Sequence, residues 1–274
     1  MDEPMQVEKK LQEKAKELRR EIIRMIGANH VGHFGGSLSV VEIMTVLYFH
    51  QMKYDPLNPN QKGRDRLVLS KGHSAPAQYA AMALAGYFPR EELLSLKQLG
   101  SRLQGHPNLA CLPGIEANTG SLGQGLSMVI GMALAERLQK ERGRFYVILG
   151  DGELQEGQVW EAAMAAANFG LHTITAIVDH NKLQATGPIC QRMNVGELRP
   201  KWEAFGWQVI EVNGHSIPEL IQAFQAAERN VKGPTVIIAH TVKGKGVSFM
   251  EGVAKYHNGL VNENEFQQAL AELE

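Results

Sequence analysis

The sequence predicts an α/β protein, a parallel sheet sandwiched by helices. Three observations carry that expectation. Short, continuous apolar runs such as RLVLS, RFYVIL, TITAIV and TVIIA have the character of strands buried on both faces. Amphipathic stretches at helical spacing separate most of them. Clusters with chemical potential, KGHS, GDGE, DHNKL and HTVKGKG, follow directly after the runs. In an open parallel sheet that is where ligands collect.

The elements follow in order. Leu11, Ala15, Leu18, Ile22 and Met25 line one face of a helix over 8–26, and Gly27 is a natural stop. The loop GANHVGHFGGSLS leads to an apolar helix over 40–49. A loop with Pro56 and Pro59 precedes the strand RLVLS. Helix 122–142 is rich in Ala, Met and Leu, and strand 144–149 follows it. Helix 158–169 and strand 173–178 come next, then strand 207–212, helix 217–230 and strand 235–239. Asn262 with Glu265 forms a capping box for the last helix. No linker, repeat or low-complexity tract interrupts the pattern, so residues 1–274 are read as one domain.

Composition narrows the function classes. A hydrophobic fraction of 44% and a charged fraction of 21% are those of an ordinary globular protein. A net charge of -1 offers no field for nucleic acid or an anionic membrane. No apolar run approaches the roughly 20 residues of a membrane span, and MDEPMQVEKK lacks the apolar core of a signal peptide. Two distant cysteines, Cys111 and Cys190, fit a reducing, cytoplasmic setting and are read as structural. The 28 glycines exceed the usual share of roughly 7%, and many sit beside His or Asp, in GHFGG, KGHS, GHPN, TGSLGQG, GDGE and NGHS. Glycine there lets backbone approach a ligand.

Asp151 follows one strand and Asn181 the next, about thirty residues on, the length of one strand–helix–strand unit. Adjacent parallel strands would bring both to one rim. An acid, an amide and a nearby carbonyl are hard oxygen donors. They suit Mg²⁺, which completes a near-octahedral shell with phosphate and water oxygens. Gly152 and the helix start after it would favour the phosphate.

The segment GDGELQEGQVWEAAMAAANFGLHTITAIVDHNKLQ resembles the thiamine-diphosphate motif, in the ELQEG form of transketolases. GHFGGSLSVVEIM, RLVLSKGHSAPAQYAAMALAGY, GHPN, NTGSLGQGLSMVIGMALAER and KYHNG agree with that family in order and spacing. The resemblance runs from about residue 10 to residue 260. It covers only the family's diphosphate-binding domain, and Met1 and the capped last helix are read as the ends of a natural subunit.

By that resemblance Asp151, Asn181 and the Leu183 carbonyl hold Mg²⁺, for which Ca²⁺ or Mn²⁺ can substitute, and the Gly152 backbone touches the diphosphate of thiamine diphosphate. Gly120, Ser121 and Leu122 line the wall beside the cofactor's rings. His73 and His257 reach the diphosphate or the reacting centre, while His33 and His106 face substrate hydroxyls. Imidazoles can donate or accept near neutral pH. Glu156 matches the glutamate that links two active sites at the subunit interface. The implied activity is transfer of a two-carbon ketol unit from a ketose phosphate to an aldose phosphate. The aminopyrimidine-activating glutamate and the phosphate-gripping arginines belong to the pyrimidine-binding domain. The resemblance therefore implies a C-terminal partner subunit, the two chains forming an α₂β₂ assembly. Two local departures, GHFGG for the usual GHPGA and Ser121 for the usual Pro, bear on substrate fit.

Related thiamine enzymes, the deoxyxylulose-phosphate synthases and 2-oxo-acid dehydrogenases, are the alternative, but ELQEG, GHPN and TGSLGQG favour transketolase. A catalytically silent subunit would have no chemical need for Asp151, Asn181 and the four histidines. A nucleotide-binding protein would need a G-x-G-x-x-G or P-loop motif, which the sequence lacks. His50, His172, His180 and His240 are read as surface or hydrogen-bonding residues and His215 as the residue that leads into a helix; Lys243 and Lys245 could steady a phosphate, but a mobile, solvated loop is the reading preferred for them.

Overall fold

The computed structural model describes residues 3–274 in their backbone, and side chains from Met5 onward. In chain order the elements are α1 (Glu3–Ile26), β1 (Val31–Gly32), α2 (Phe34–Leu38), α3 (Val41–Val46), β2 (Arg66–Leu69), α4 (Ala75–Leu84), α5 (Gln124–Gln139), β3 (Phe145–Gly150) and α6 (Gly157–Asn168). Then come β4 (Ile174–His180), β5 (Leu183–Gln184), β6 (Gly187–Pro188), α7 (Leu198–Ala204), β7 (Gln208–Asn213), α8 (Ile217–Arg229), β8 (Thr235–His240), β9 (Gly259–Leu260) and α9 (Glu263–Glu272).

Five strands form a wholly parallel sheet in the order β2-β3-β4-β8-β7. The alternation of side chains along each strand divides the core. Phe145, Val147 and Leu149 of β3 pack on one face with α5, α6 and α7. Tyr146 and Ile148 pack on the other with α1, α3, α4 and α8. Each fully buried Ile, Leu or Phe contributes about 1.5–3 kcal/mol. The sheet is therefore rigid between two apolar layers, and its strand ends are fixed relative to one another.

Most of the expected elements are present within a residue or two. Gly27 ends α1 at a φ of 75°, donating its amide to Ile23, and the capping box of Asn262 and Glu265 starts α9. The expected helix over 122–142 begins only at Gln124, because Gly123 has a left-handed φ of 82°. The one expected over 40–49 is α3 followed by a π-helical turn, Leu47–Gln51. Sequence patterning missed α4, whose residues APAQYAAMAL are almost all buried and so have no polar face to mark a helical period. Short α2, α7, β1, β5, β6 and β9 were missed as well. Among the described residues, no helix is long and apolar enough to cross a membrane.

Candidate active site at the strand ends

Four neighbouring strands deliver polar side chains to one rim. Lys71 and His73 follow β2, Asp151 follows β3, Asp179 and Asn181 lie at the end of β4, and Lys243 lies three residues beyond β8. Because Gly150 is in register with Asp179, Asp151 and Asn181 face the same cavity, of about 250 Å³. Gly152, Leu122, Leu183, Glu156, His73 and His257 also line it. The strand-end reading of Asp151 and Asn181 thus describes the geometry.

Asp151 is buried and begins the turn Gly152–Gln155. Its Oδ1 accepts the Gly152 amide at 2.8 Å and its Oδ2 the Lys182 amide. Burial, and then the neighbouring Asp179 carboxylate, push its pKa up to about 7. Asn181 donates its Nδ2 to Asp179 Oδ2 at 2.9 Å, and its Oδ1 accepts the Leu183 amide at 3.1 Å. The Leu183 carbonyl accepts Lys243 Nζ at 2.6 Å, so an ammonium already lies against this oxygen. One carboxylate, one amide oxygen and one carbonyl, with a cation drawn to the carbonyl, fit a hard divalent ion whose remaining ligands come from phosphate and water. Accordingly, among the described residues no three His, Cys, Asp or Glu side chains form a metal site by themselves.

The four histidines meet beside this cavity. The His73 ring centroid lies 4.9 Å from that of His257 and 5.3 Å from that of His33. His33 is 5.7 Å from His257 and 6.3 Å from His106. Burial, followed by nearby Lys97 and His106, lowers the His33 pKa to about 4. Burial and Lys243 lower His257 to about 3, burial and Lys71 hold His73 lower still, and His106 is lowered by burial and Lys97. At neutral pH the four are uncharged, each with one donor and one acceptor nitrogen. His257 Nδ1 is buried with no hydrogen-bond partner among the described residues. A buried polar atom left this way is costly unless a ligand meets it.

Glycines permit the close packing. A Cβ at Gly36 would lie 2.9 Å from Ser74 Oγ and 3.3 Å from His73 Nε2, which explains the second half of GHFGG. A Cβ at Gly120, where φ is 132°, would lie 2.8 Å from the His106 ring. His33, His106, Gly120 and Ser121 are not among the residues lining the cavity, and Ser121 is exposed. Glu156 sits at the start of α6 with its Cβ against Gly123.

Sequence reasoning missed two residues and misread a third. Asp179 is fully buried and accepts Lys71 Nζ at 2.5 Å, Ser39 Oγ at 2.7 Å and the Thr241 hydroxyl. Burial alone would raise its pKa, but Lys71 and these hydrogen bonds hold it below the usual carboxylate range. It therefore aims Asn181 as a fixed anion. A charged residue ending an apolar run, as in VDHN, and a lysine opening KGHS were the available signals. Lys243 corrects the expectation of a solvated lysine: it is only 3% exposed, and burial and Lys71 lower its pKa to about 8. His50 and His172 are exposed, and His180 pairs with His240 at 3.2 Å, as expected. Cys190 is exposed and belongs to neither apolar core among the described residues, contrary to its structural reading.

Comparison with known proteins gives the family. Residues 11–273 match the family described as transketolase, thiamine diphosphate binding domain. The 6-deoxy-6-sulfo-D-fructose transketolase subunit SqwG of Clostridium sp. (strain MSTE9) is 46% identical, over 96% of this chain and 96% of that protein. An apulose-4-phosphate transketolase subunit of Phocaeicola vulgatus is 41% identical, over 98% of this chain and 95% of its own length. The solved transketolase of Campylobacter jejuni superimposes with a TM-score of 0.90 at 33% identity, over 96% of this chain. This chain spans 42% of that one, so a solved transketolase is more than twice as long. The chain therefore belongs to the transketolase family, as its thiamine-diphosphate-binding domain.

Proposed function

We propose that this chain is the N-terminal subunit of a two-chain transketolase. With a C-terminal subunit carrying the pyrimidine-binding domain, in an α₂β₂ assembly, it transfers a two-carbon ketol unit from a ketose phosphate to an aldose phosphate. The single observation that carries this reading is the convergence of Asp151, Asn181 and the Leu183 carbonyl with a neutral histidine cluster at one rim of the sheet. Two full-length relatives that are themselves named as subunits support the need for a partner.

Thiamine diphosphate, when bound, supplies the carbon nucleophile and electron sink of this chemistry. The chain's own residues hold it and manage protons. Asp151, Asn181 and the Leu183 carbonyl would hold Mg²⁺, or Ca²⁺ or Mn²⁺ in its place. The Gly152 backbone, His73 and His257 would hold the diphosphate, the last through its partnerless Nδ1. Gly120, Ser121 and Leu122 would border the rings. His33 or His106, uncharged at neutral pH, would accept the donor's hydroxyl proton as the carbon–carbon bond breaks. Glu156, at the start of α6, would communicate with the second active site. A cytoplasmic setting accords with the reduced Cys111 and Cys190.

The test is a transfer assay with Mg²⁺, thiamine diphosphate, xylulose 5-phosphate and ribose 5-phosphate. The sugars named for the two relatives are added as further donors. The chain is assayed alone and then with the C-terminal subunit. Activity only in the mixture is expected; full activity from the chain alone would refute the shared site. Release of carbon dioxide from a 2-oxo acid would instead support the other thiamine enzymes.

A further inference from the structure

Behind the cavity, three charged or polar side chains form a network that the proposed reaction does not use. Arg19 of α1 donates its Nη2 to Glu42 Oε1 at 2.5 Å. The other oxygen of Glu42, on α3, accepts His215 Nδ1 at 2.9 Å. His215 Nε2 accepts the Val242 amide at 2.8 Å. An Nε2 that accepts leaves the ring proton on Nδ1, so the imidazole is fixed in one tautomer and one orientation. Arg19 closes the circuit by donating Nε to the Lys245 carbonyl at 3.0 Å.

The Val242 amide and the Lys245 carbonyl are the two ends of one turn, which also donates the Lys245 amide to the Val242 carbonyl at 3.2 Å. The turn fits closely against its supports. The Gly244 amide donates to the Gly35 carbonyl at 3.0 Å, and a Cβ on Gly246 would lie 2.7 Å from Arg19. A Cβ on Gly35 would lie 2.8 Å from Lys243 Cγ. Lys243 projects from the middle of this turn to the Leu183 carbonyl. Burial would raise the Glu42 pKa, but His215 and Arg19 outweigh it and keep the group ionised. Buried ionic networks add little net stability over apolar packing of the same volume. What this one does supply is a unique geometry at both ends of the turn.

We propose that Arg19, Glu42 and His215 are positioning residues that clamp the 242–246 turn and so hold Lys243 at the diphosphate end of the cavity. The clamp stands on the hydrogen bonds above; the meaning of the position of Lys243 rests on the proposed function. His215 therefore does more than lead into α8, the role its sequence context gave it.

The first test is amide hydrogen exchange on the ligand-free chain, compared between wild type, His215→Ala and His215→Gln. Peptides covering residues 241–250 should exchange at least about tenfold faster in His215→Ala, while β3 and β4 keep wild-type protection. His215→Gln, whose side-chain carbonyl can accept the Val242 amide, should restore most of the protection. Where His215→Ala does not fold, Glu42→Gln gives the same reading. Unchanged exchange at 241–250, or equal acceleration throughout the chain, overturns the clamp.

The second test titrates inorganic pyrophosphate with Mg²⁺ into wild type, His215→Ala, Lys243→Met and the double variant. His215→Ala should weaken binding about tenfold alone, and no more than about twofold in the Lys243→Met background. Equal weakening in both backgrounds overturns action through Lys243. Failure of the wild type to bind pyrophosphate would count against the proposed function, and the exchange experiment still decides the clamp.

Discussion

At the amino ends of β2 and β3, Arg64 meets Glu116 at 2.6 Å and Arg66 meets Glu136 at 3.1 Å. The side chains of Arg64 and Glu116 are only 7% and 6% exposed, yet each charge has its opposite beside it. At the carboxyl ends of β2, β3 and β4 one buried pair, Lys71 with Asp179, is matched in the same way, but further groups stand beside it that disfavour each other's charged forms. Asp179 raises the pKa of Asp151, Lys71 lowers that of Lys243, and His257 and His33 lower that of His73, each adding to the effect of burial. In the first cluster burial raises the Glu116 pKa and Arg64 and Arg66 oppose it, so the arginines offset much of the cost of burying the carboxylate. In the second, Asp151 and Lys243 each carry the cost of a like charge nearby, which a divalent cation and a diphosphate would relieve. Burial of charge thus does not mark a site; like charges left beside a matched pair do.

The largest effect that would sharpen this contrast is at the structural end. Glu116→Ala leaves Arg64 buried without its partner and should cost about 3–5 kcal/mol in urea unfolding, with cofactor affinity unchanged in the folded protein. A loss below about 1 kcal/mol would mean the pair is not the stabilising element it is taken for.

Next is Asp151→Ala at the other end. Removing one of two like charges should leave the melting temperature of the ligand-free chain unchanged or higher. It should also weaken Mg²⁺-dependent thiamine-diphosphate binding by about a hundredfold or more, read by calorimetry. Retained tight binding would remove the metal assignment.

His33→Ala should lower kcat about a hundredfold with a much smaller change in cofactor affinity, as a proton acceptor requires. Lost affinity with an unchanged rate at saturation would assign His33 to binding instead.

The smallest effect concerns pH. The folded pKa of His33, about 4, lies below the ordinary 6.5, so the folded chain binds fewer protons than the unfolded one. Stability from this group is complete above pH 6.5 and falls as pH drops from 6.5 toward 4. Lys97, His106, His73, His257 and Lys243 face or lie near the ring, and other groups titrate in the same window. The difference between wild type and His33→Gln isolates its share. At pH 5 the variant should gain on the order of 1 kcal/mol relative to its difference at pH 7.5, after allowing for solvent screening. No change in that difference would show that the ring is not desolvated in solution.

Much of this was legible before the fold. The apolar runs announced the strands, and the period-2 division of Phe145, Tyr146, Val147, Ile148 and Leu149 between two cores follows from them. The strand–helix–strand spacing put Asp151 and Asn181 on adjacent strands, as the register of Gly150 with Asp179 shows. The helix α4 was illegible because burial on all sides removes the polar face that marks a period.

By itself, the sequence determined which residues end the strands and which glycines leave room beside them, since both depend on neighbours within a few positions. Only the tertiary structure decided that Lys71 is the counterion of Asp179, that Lys243 is buried rather than solvated, and that His215 supports its turn through Glu42. Those partners lie 108 and 173 residues apart in the two side-chain pairs. Local spacing carries no information about such distances. The physical reason is that a buried charge is defined by what the folded chain places against it.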